Sequence, residues 1–172
     1  MTKTLDLGSG PNPNNPFNAT EIYGVDVRTD LGANILAADL AIEAIPFESN
    51  TFEYVTAFQF IEHMPRVIYI PKRRNPFVEL MNEIYRVLKV NGIFLSVTPA
   101  YPHAAAFQDP THVNIITEST FTCYFDDTNK WAKIYGFTGN FKVLNQEWMG
   151  ANLVTQLQKY KFNQTLSNKS PK

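Results

Sequence analysis

Acidic residues and glycines stand in this sequence at the places where short apolar runs stop. Leu5-Asp6-Leu7 gives way to Gly8-Ser9-Gly10, Glu21-Ile22-Tyr23-Gly24-Val25 ends in Asp26, and Asn34-Ile35-Leu36-Ala37-Ala38 ends in Asp39. A glycine lets a ligand approach the backbone where a Cβ would collide. A carboxylate after a second strand can accept hydrogen bonds from both hydroxyls of a ribose. At this level a nicotinamide or flavin dinucleotide fits, and so does a nucleoside carrying a cationic tail. The residues after the glycines favour the second. A diphosphate requires several free N–H groups and the positive end of a helix directly after the turn. Here Pro11 and Pro13 remove donors, Pro13 stands where a third glycine would be, and Pro11-Asn12-Pro13-Asn14-Asn15-Pro16 cannot open a helix. Asp6 adds negative charge beside the turn, which suits a ligand end bearing an ammonium and a sulfonium.

The second chemical signal is the three histidines. His63 follows an apolar aromatic run, and His103 and His112 lie in a long loop that includes Tyr101-Pro102-His103 and Asp109-Pro110-Thr111-His112-Val113. A base at the reacting centre is needed for an alcohol nucleophile and is dispensable for an amine or thiolate. His112 is the first choice for general base or acceptor ligand, then His103, then His63. Structural roles compete: Glu62-His63 can cap a helix, and Asp109 with His112 can fasten a loop. No metal is expected, because Asp109, His112 and His103 lack tight ligand spacing. Tyr101, Phe107, Phe121, Tyr124 and Trp131 are candidates for an acceptor pocket, with the core as the commoner place for aromatics. Cys123 reads as core filler rather than nucleophile.

These residues need a scaffold that puts strand ends side by side. Strands are expected at Leu5–Leu7, Glu21–Asp26, 34–39, Phe52–Phe60 and 93–97, with closing strands near 137–144 and 149–157. The clearest helix runs from Pro76 to about Lys89, with Asn75 as N-cap, Leu80, Ile84 and Leu88 in one stripe, and Asn91-Gly92 as its left-handed end. A shorter helix is expected from Thr117 to about Asp126. Strands alternating with crossovers imply an α/β fold with a mostly parallel sheet, and such sheets bind ligands outside the C-terminal strand ends. The 172 residues suit one domain over 1–162, with a polar tail over 163–172. A net charge of −1 gives no overall field for nucleic acid, so none is expected as a partner. Without a signal-peptide core or a long apolar stretch, no membrane is expected and the cytoplasm is the expected location. The single cysteine allows no internal disulfide.

With these residues in view, Leu5-Asp6-Leu7-Gly8-Ser9-Gly10 resembles the glycine-rich first motif of class I S-adenosylmethionine-dependent methyltransferases, of the type 11-like kind. Tyr23-Gly24-Val25-Asp26 resembles their second-strand acid and Ala38-Asp39-Leu40 their adenine-contacting turn. Ile45-Pro46-Phe47 with Asn50-Thr51-Phe52-Glu53-Tyr54-Val55 is similar to the run into their fourth strand, Phe60-Ile61-Glu62-His63-Met64 to the motif after it, and residues 83–92 to the helix and turn before their fifth. The likeness spans about residues 4–122.

The resemblance implies a Rossmann-like methyltransferase sheet, mostly parallel with an antiparallel C-terminal hairpin strand, helices on both faces and an abbreviated N-terminus. It implies S-adenosylmethionine as cofactor, with S-adenosylhomocysteine as product. Gly8 and Gly10 would lie against the methionine portion, Asp6 near its ammonium, Asp26 at the ribose, Asp39 and the Leu40 N–H at the adenine, and Gln59 and Phe60 beside the sulfonium. The loop around His103 and His112 resembles one in methyltransferases of sugar and cell-surface biosynthesis, so the expected acceptor is a small molecule of that class. Two features depart from the family: the proline-asparagine loop replaces a helix, and no helices precede the first strand to roof the cofactor. A partner subunit, in a homodimer for example, is one source of cover. The competing readings are a catalytically inactive Rossmann-like binding subunit and a nucleotide-dependent oxidoreductase.

Overall fold

The computed structural model describes residues 1–160; the tail expected from residue 163 lies outside them. In chain order the elements are β1 (Lys3–Leu7), β2 (Glu21–Asp26), β3 (Ile35–Ala37), β4 (Phe52–Phe58), β5 (Ile68–Tyr69), β6 (Arg73–Arg74), α1 (Pro76–Val87), β7 (Leu88–Pro99), α2 (Glu118–Tyr124), β8 (Phe141–Met149) and β9 (Asn152–Lys159), with short 3₁₀ turns between. Seven strands form one sheet in the order β3-β2-β1-β4-β7-β9-β8, and β5 pairs only with β6. The first five strands of that order run parallel, and β9 and β8 close the sheet antiparallel. The chain starts at β1, runs outward to β3, then returns to β4 on the other side of β1. The strand ends of β1 and β4 therefore flank the point where the winding reverses, which is where such sheets leave a crevice.

Strand register decides what each face carries. Leu5 lies beside Tyr23 and Val55, Leu7 beside Val25 and Ala57, and Val55 beside Phe94. This face meets α1, whose Phe77, Leu80, Met81, Ile84 and Val87 belong to the same buried cluster. The ring of Phe77 packs edge-on against Phe121 of α2 and against Phe125, so both helices lie on this side. On the opposite face Asp6 stands in register with Gly24 and Thr56, and Thr4 with Tyr54. There the loop over residues 11–20 covers the sheet: Phe17 stacks on Tyr54 with centroids 4.3 Å apart, and Pro13 lies against Gly24. Proline has no N–H and a fixed φ, so three prolines in six residues turn the usual crossover helix into this loop.

Several boundaries differ from the sequence expectation. The helix stops at Val87, and Leu88 passes straight into β7, paired with Phe52. Asn91 does have a positive φ of 65°, but it sits within the irregular start of a strand rather than at a helix end. The closing hairpin is shifted toward the C-terminus, with Met149 paired to Asn152 across the two-residue turn Gly150-Ala151. Phe137, expected in a strand, is instead a buried loop residue stacked on Phe141.

Phe52 is fully buried, with Tyr23 and Phe47 edge-on at 5.7 and 5.0 Å. Phe52→Ala should lower unfolding free energy by about 3–5 kcal/mol in urea titration; a loss below about 1 kcal/mol would mean the cavity collapses freely.

Candidate active site

The site grows from the turn after β1. Gly8 has a φ of +67°, and a Cβ there would lie 2.4 Å from the ring of Phe60, so only glycine allows this ring to close over the turn. The Gly8 and Ser9 amides donate to the Val25 carbonyl at 2.8 and 3.2 Å, and the Gly10 amide donates to Asp26 Oδ2 at 2.9 Å. All three N–H groups of the turn are thus spent inward. A diphosphate would find no donor row here, and no helix follows.

Asp6 lies behind the turn with 1% exposure. Its Oδ1 accepts the Thr56 hydroxyl at 2.6 Å, and its Oδ2 accepts the amide and side-chain NH₂ of Asn14 at 2.8 and 2.9 Å. Burial raises its carboxyl pKa, and these hydrogen bonds work against that rise. Asp6 therefore anchors the proline-asparagine loop to the sheet.

Asp26 ends β2 with both oxygens engaged. Arg28 donates from Nε at 2.9 Å and from its amide at 3.0 Å to Oδ1, and from Nη2 at 3.2 Å to Oδ2. The guanidinium hydrogen bonds hold the Asp26 carboxyl down at about 2 against an ordinary 3.8. The Arg28 side chain is 60% exposed, so it can swing into solvent and leave the carboxylate to another donor.

Asp39 begins a turn: its Oδ1 accepts the Ala41 amide at 3.0 Å and its carbonyl accepts the amides of Ile42 and Glu43. Among the described residues its Oδ2 and the amide of buried Leu40 have no partner. A free acceptor beside a free donor matches the edge of an adenine. Gln59, at the end of β4, holds a left-handed φ of 49° and donates from Nε2 to Asn152 Oδ1 at 3.0 Å. Such a backbone is uncommon for a non-glycine residue.

These groups share one cavity of about 370 Å³, lined by Gly8, Asp26, Arg28, Asp39, Leu40, Gln59, Phe60 and His63 among others. Its size falls in the usual range for small-molecule sites, about 300–1,000 Å³. Gly10 touches it through Asp26, and Asp6 stands one layer behind.

The histidines divide. The Glu62 carbonyl accepts the amides of Val113 and Asn114, both at 2.9 Å, and Asn114 Nδ2 donates to the Ile61 carbonyl at 3.0 Å. This stitching brings His112 to His63, ring centroids 4.9 Å apart and edge-on. His103 is not brought to them; its ring packs edge-on against Trp148 at 5.0 Å. Beneath the pair lies Glu62, 1% exposed, whose Oε2 accepts the Thr98 hydroxyl at 2.7 Å while Oε1 has no partner. Burial pushes the Glu62 carboxyl up from its ordinary value. Glu62 is the polar residue that the sequence reading passed over except as a helix cap. Of the aromatics, Phe121 is fully buried core, whereas Tyr101 and Phe107 meet edge-on at the surface, as do Tyr124 and Trp131.

The parallel sheet, the glycine turn, the strand-end acids and the cavity between them define a Rossmann-like cofactor-binding α/β enzyme. Residues 5–96 match the family model described as a methyltransferase domain, more than half of the chain, and the protein belongs to that family. It is a methyltransferase with S-adenosylmethionine as cofactor. No curated protein matches the sequence. Among solved structures, the [4+2]-cyclase SpnF is similar at 16% identity and TM-score 0.63, over 92% of this chain and 74% of that one. The YcgJ protein of Bacillus subtilis gives 14% identity and TM-score 0.61 over 94% and 93%. A SAM-dependent methyltransferase of Archaeoglobus fulgidus gives 14% and 0.61 over 92% and 86%. At such identities the likeness is one of fold, and a cyclase among these neighbours is a reminder that this fold alone does not fix a reaction. Among the described residues no helix is long and apolar enough to cross a membrane.

A carboxylate whose pKa is lowered by folding contributes stability above its unfolded pKa of 3.8 and loses it as the pH falls toward about 2. The difference in urea midpoint between wild type and Asp26→Asn should therefore shrink between about pH 4 and pH 2. A difference constant over that interval would mean that the Asp26–Arg28 pair contributes nothing to folding.

Proposed function

We propose that this methyltransferase acts on a hydroxyl of a small polyhydroxylated acceptor, a sugar or a cell-surface sugar precursor, with His112 and His63 beside the hydroxyl. The observation that supports this reading is the histidine pair, of which His63 lines the cavity and His112 packs against it, each ring held through Nδ1. Thr111 gives its hydroxyl proton to Asp109 Oδ1 at 2.6 Å, so it accepts from His63 Nδ1–H at 3.0 Å. His112 Nδ1–H donates to the Ala105 carbonyl at 3.1 Å. In the neutral rings both Nε2 atoms then carry a lone pair; that of His112 lies 3.9 Å from Asp109 Oδ2. Such acceptors serve an alcohol nucleophile, which must lose a proton; an amine needs no such help.

The cofactor supplies a methyl group already activated on a sulfonium. What the chain has to do is hold both reactants and exclude alternatives, since alignment at ~3–3.5 Å is most of the catalysis required. In this reading Gly8 and Gly10 leave room for the methionine portion, with Asp6 setting the loop that borders it. Asp26 receives the ribose hydroxyls once Arg28 turns outward, and Asp39 with the Leu40 amide reads the base. Gln59 and Phe60 border the sulfonium. His112 Nε2, beside the cavity-lining His63, receives the acceptor proton. His103, against Trp148, is left to the rim or to structure.

Calorimetry with S-adenosylhomocysteine tests the cofactor half. Asp26→Ala should weaken binding about 10–100-fold, the loss of hydrogen bonds to a charged group. Arg28→Ala should change it by no more than about fivefold, because an exposed ion pair contributes little. Equal losses in the two variants would give the ribose to Arg28 instead, and binding of NAD in place of S-adenosylhomocysteine would overturn the reading.

The acceptor half is tested by S-adenosylhomocysteine release against a panel of free and nucleotide-linked sugars, amines and thiols. His112→Ala should lower kcat by about 10²-fold or more with cofactor affinity nearly unchanged. Turnover confined to amines, or a loss of cofactor affinity in His112→Ala, would remove the histidine from this role.

A further inference from the structure

We propose that Glu62, His63 and His112 form a three-ligand site for a divalent transition-metal ion of the zinc type, beside the cofactor cavity that His63 lines. One ligand atom from each lies within 4.8 Å of the others. The linear spacing in the sequence pointed to no metal, because the set is completed only when the backbone bonds from Glu62 to Val113 and Asn114 join two distant loops.

Two features select a cation. Glu62 Oε1 is a buried carboxylate oxygen without a partner in a residue 1% exposed. Leaving such an atom unsatisfied is costly, and a bound cation removes the cost. Both imidazoles are oriented through Nδ1, His63 by Thr111 and His112 by Ala105. Metal-ligating histidines are commonly held this way, the outer hydrogen bond fixing the tautomer and leaving Nε2 as the ligand atom; His112 Nε2 now lies 3.9 Å from Asp109 Oδ2 and would turn from it to the ion. Thr111 in turn donates to Asp109 Oδ1 from its hydroxyl at 2.6 Å and from its amide at 2.8 Å. The His63 ligand is thereby backed by a threonine and a carboxylate in series.

The donor set decides the kind of ion. Two nitrogens and one carboxylate suit zinc and neighbouring first-row ions; magnesium and calcium take oxygen ligands. Tetrahedral bonds of ~2.0–2.1 Å place ligand atoms about 3.4 Å apart, within reach of side-chain adjustment from a spread of no more than 4.8 Å. Three protein ligands leave one coordination position open, as catalytic sites do. An acceptor hydroxyl entering that position would have its O–H acidity raised; with the ion bound, His63 and His112 serve as ligands in place of a general base, and the hydroxyl proton passes to water. Only this last role rests on the acceptor reading above. Metal binding is measured without cofactor or acceptor, so the two proposals fail separately.

Metal-free full-length chain titrated with Co²⁺ should develop visible d–d absorption saturating at one equivalent, and Zn²⁺ should displace it. His63→Ala and His112→Ala should each weaken Zn²⁺ binding by about 100-fold or more, measured by competition with a chromophoric chelator. Thr111→Val, an exposed substitution that leaves the ligands intact, should weaken it by about 10-fold, and His103→Ala should leave it unchanged. Absence of a saturating one-equivalent signal would overturn the proposal. So would undiminished Zn²⁺ affinity in both histidine ligand variants, or a loss on His103→Ala equal to theirs.

Discussion

The carboxylate of Asp6, closed off from solvent at the end of the first strand, fixes the geometry around which the cavity is arranged. A buried charge persists only when its oxygens are filled, and three donors fill them: Thr56 from the neighbouring strand and both nitrogens of Asn14. Those bonds determine where β1 stands against β4 and where the proline-rich loop lies on the sheet. The loop can then press Pro13 and Ser9 against Gly24, and the glycine turn is left with its amides bound to Val25 and Asp26. The same constraint accounts for the ligand class. A turn with no outward N–H row and a carboxylate behind it is a poor host for phosphate and a good neighbour for an ammonium or sulfonium.

A second constraint, on the other side of the cavity, is the pair of backbone bonds at the Glu62 carbonyl. They join the turn after β4 to the loop that follows β7 and so place two histidines together above one carboxylate. Most of the polar atoms there are accounted for by neighbours: Asn114 by Ile61 and Arg66, Thr111 by Asp109, Asp109 by Thr111. The exception is Glu62 Oε1, in the residue that the fold groups with His63 and His112.

Much of this could be read from the sequence, and the rest could not for identifiable reasons. The parallel strands were legible because apolar runs ended in glycine or acid, and Asp26, Asp39, Gln59 and Phe60 reach one cavity because strand ends do. The end of α1 was misplaced since Leu88 continues the apolar stripe, while the competing pairing of Leu88 with Phe52 is a tertiary fact. The closing hairpin slipped because Phe137 and Met149 are apolar, though one is loop core and the other a strand end before a glycine turn. Ion pairing of Asp26 with Arg28, two residues on, was in principle available from spacing. The grouping of His63 with His112, and the separation of His103, was not, for it depends on hydrogen bonds between segments about fifty residues apart.

The two borders of the sheet carry a consequence for how the protein behaves in company. β3, on one border, offers only three residues, and β8, on the other, breaks register between Val143 and Asn145 and bears Lys142 and Glu147 on its exposed positions. A short border and a kinked, charged one are poor templates for a further strand. Polymerisation by strand addition is therefore disfavoured at both margins, and crowded solutions should find little purchase on the backbone of this molecule.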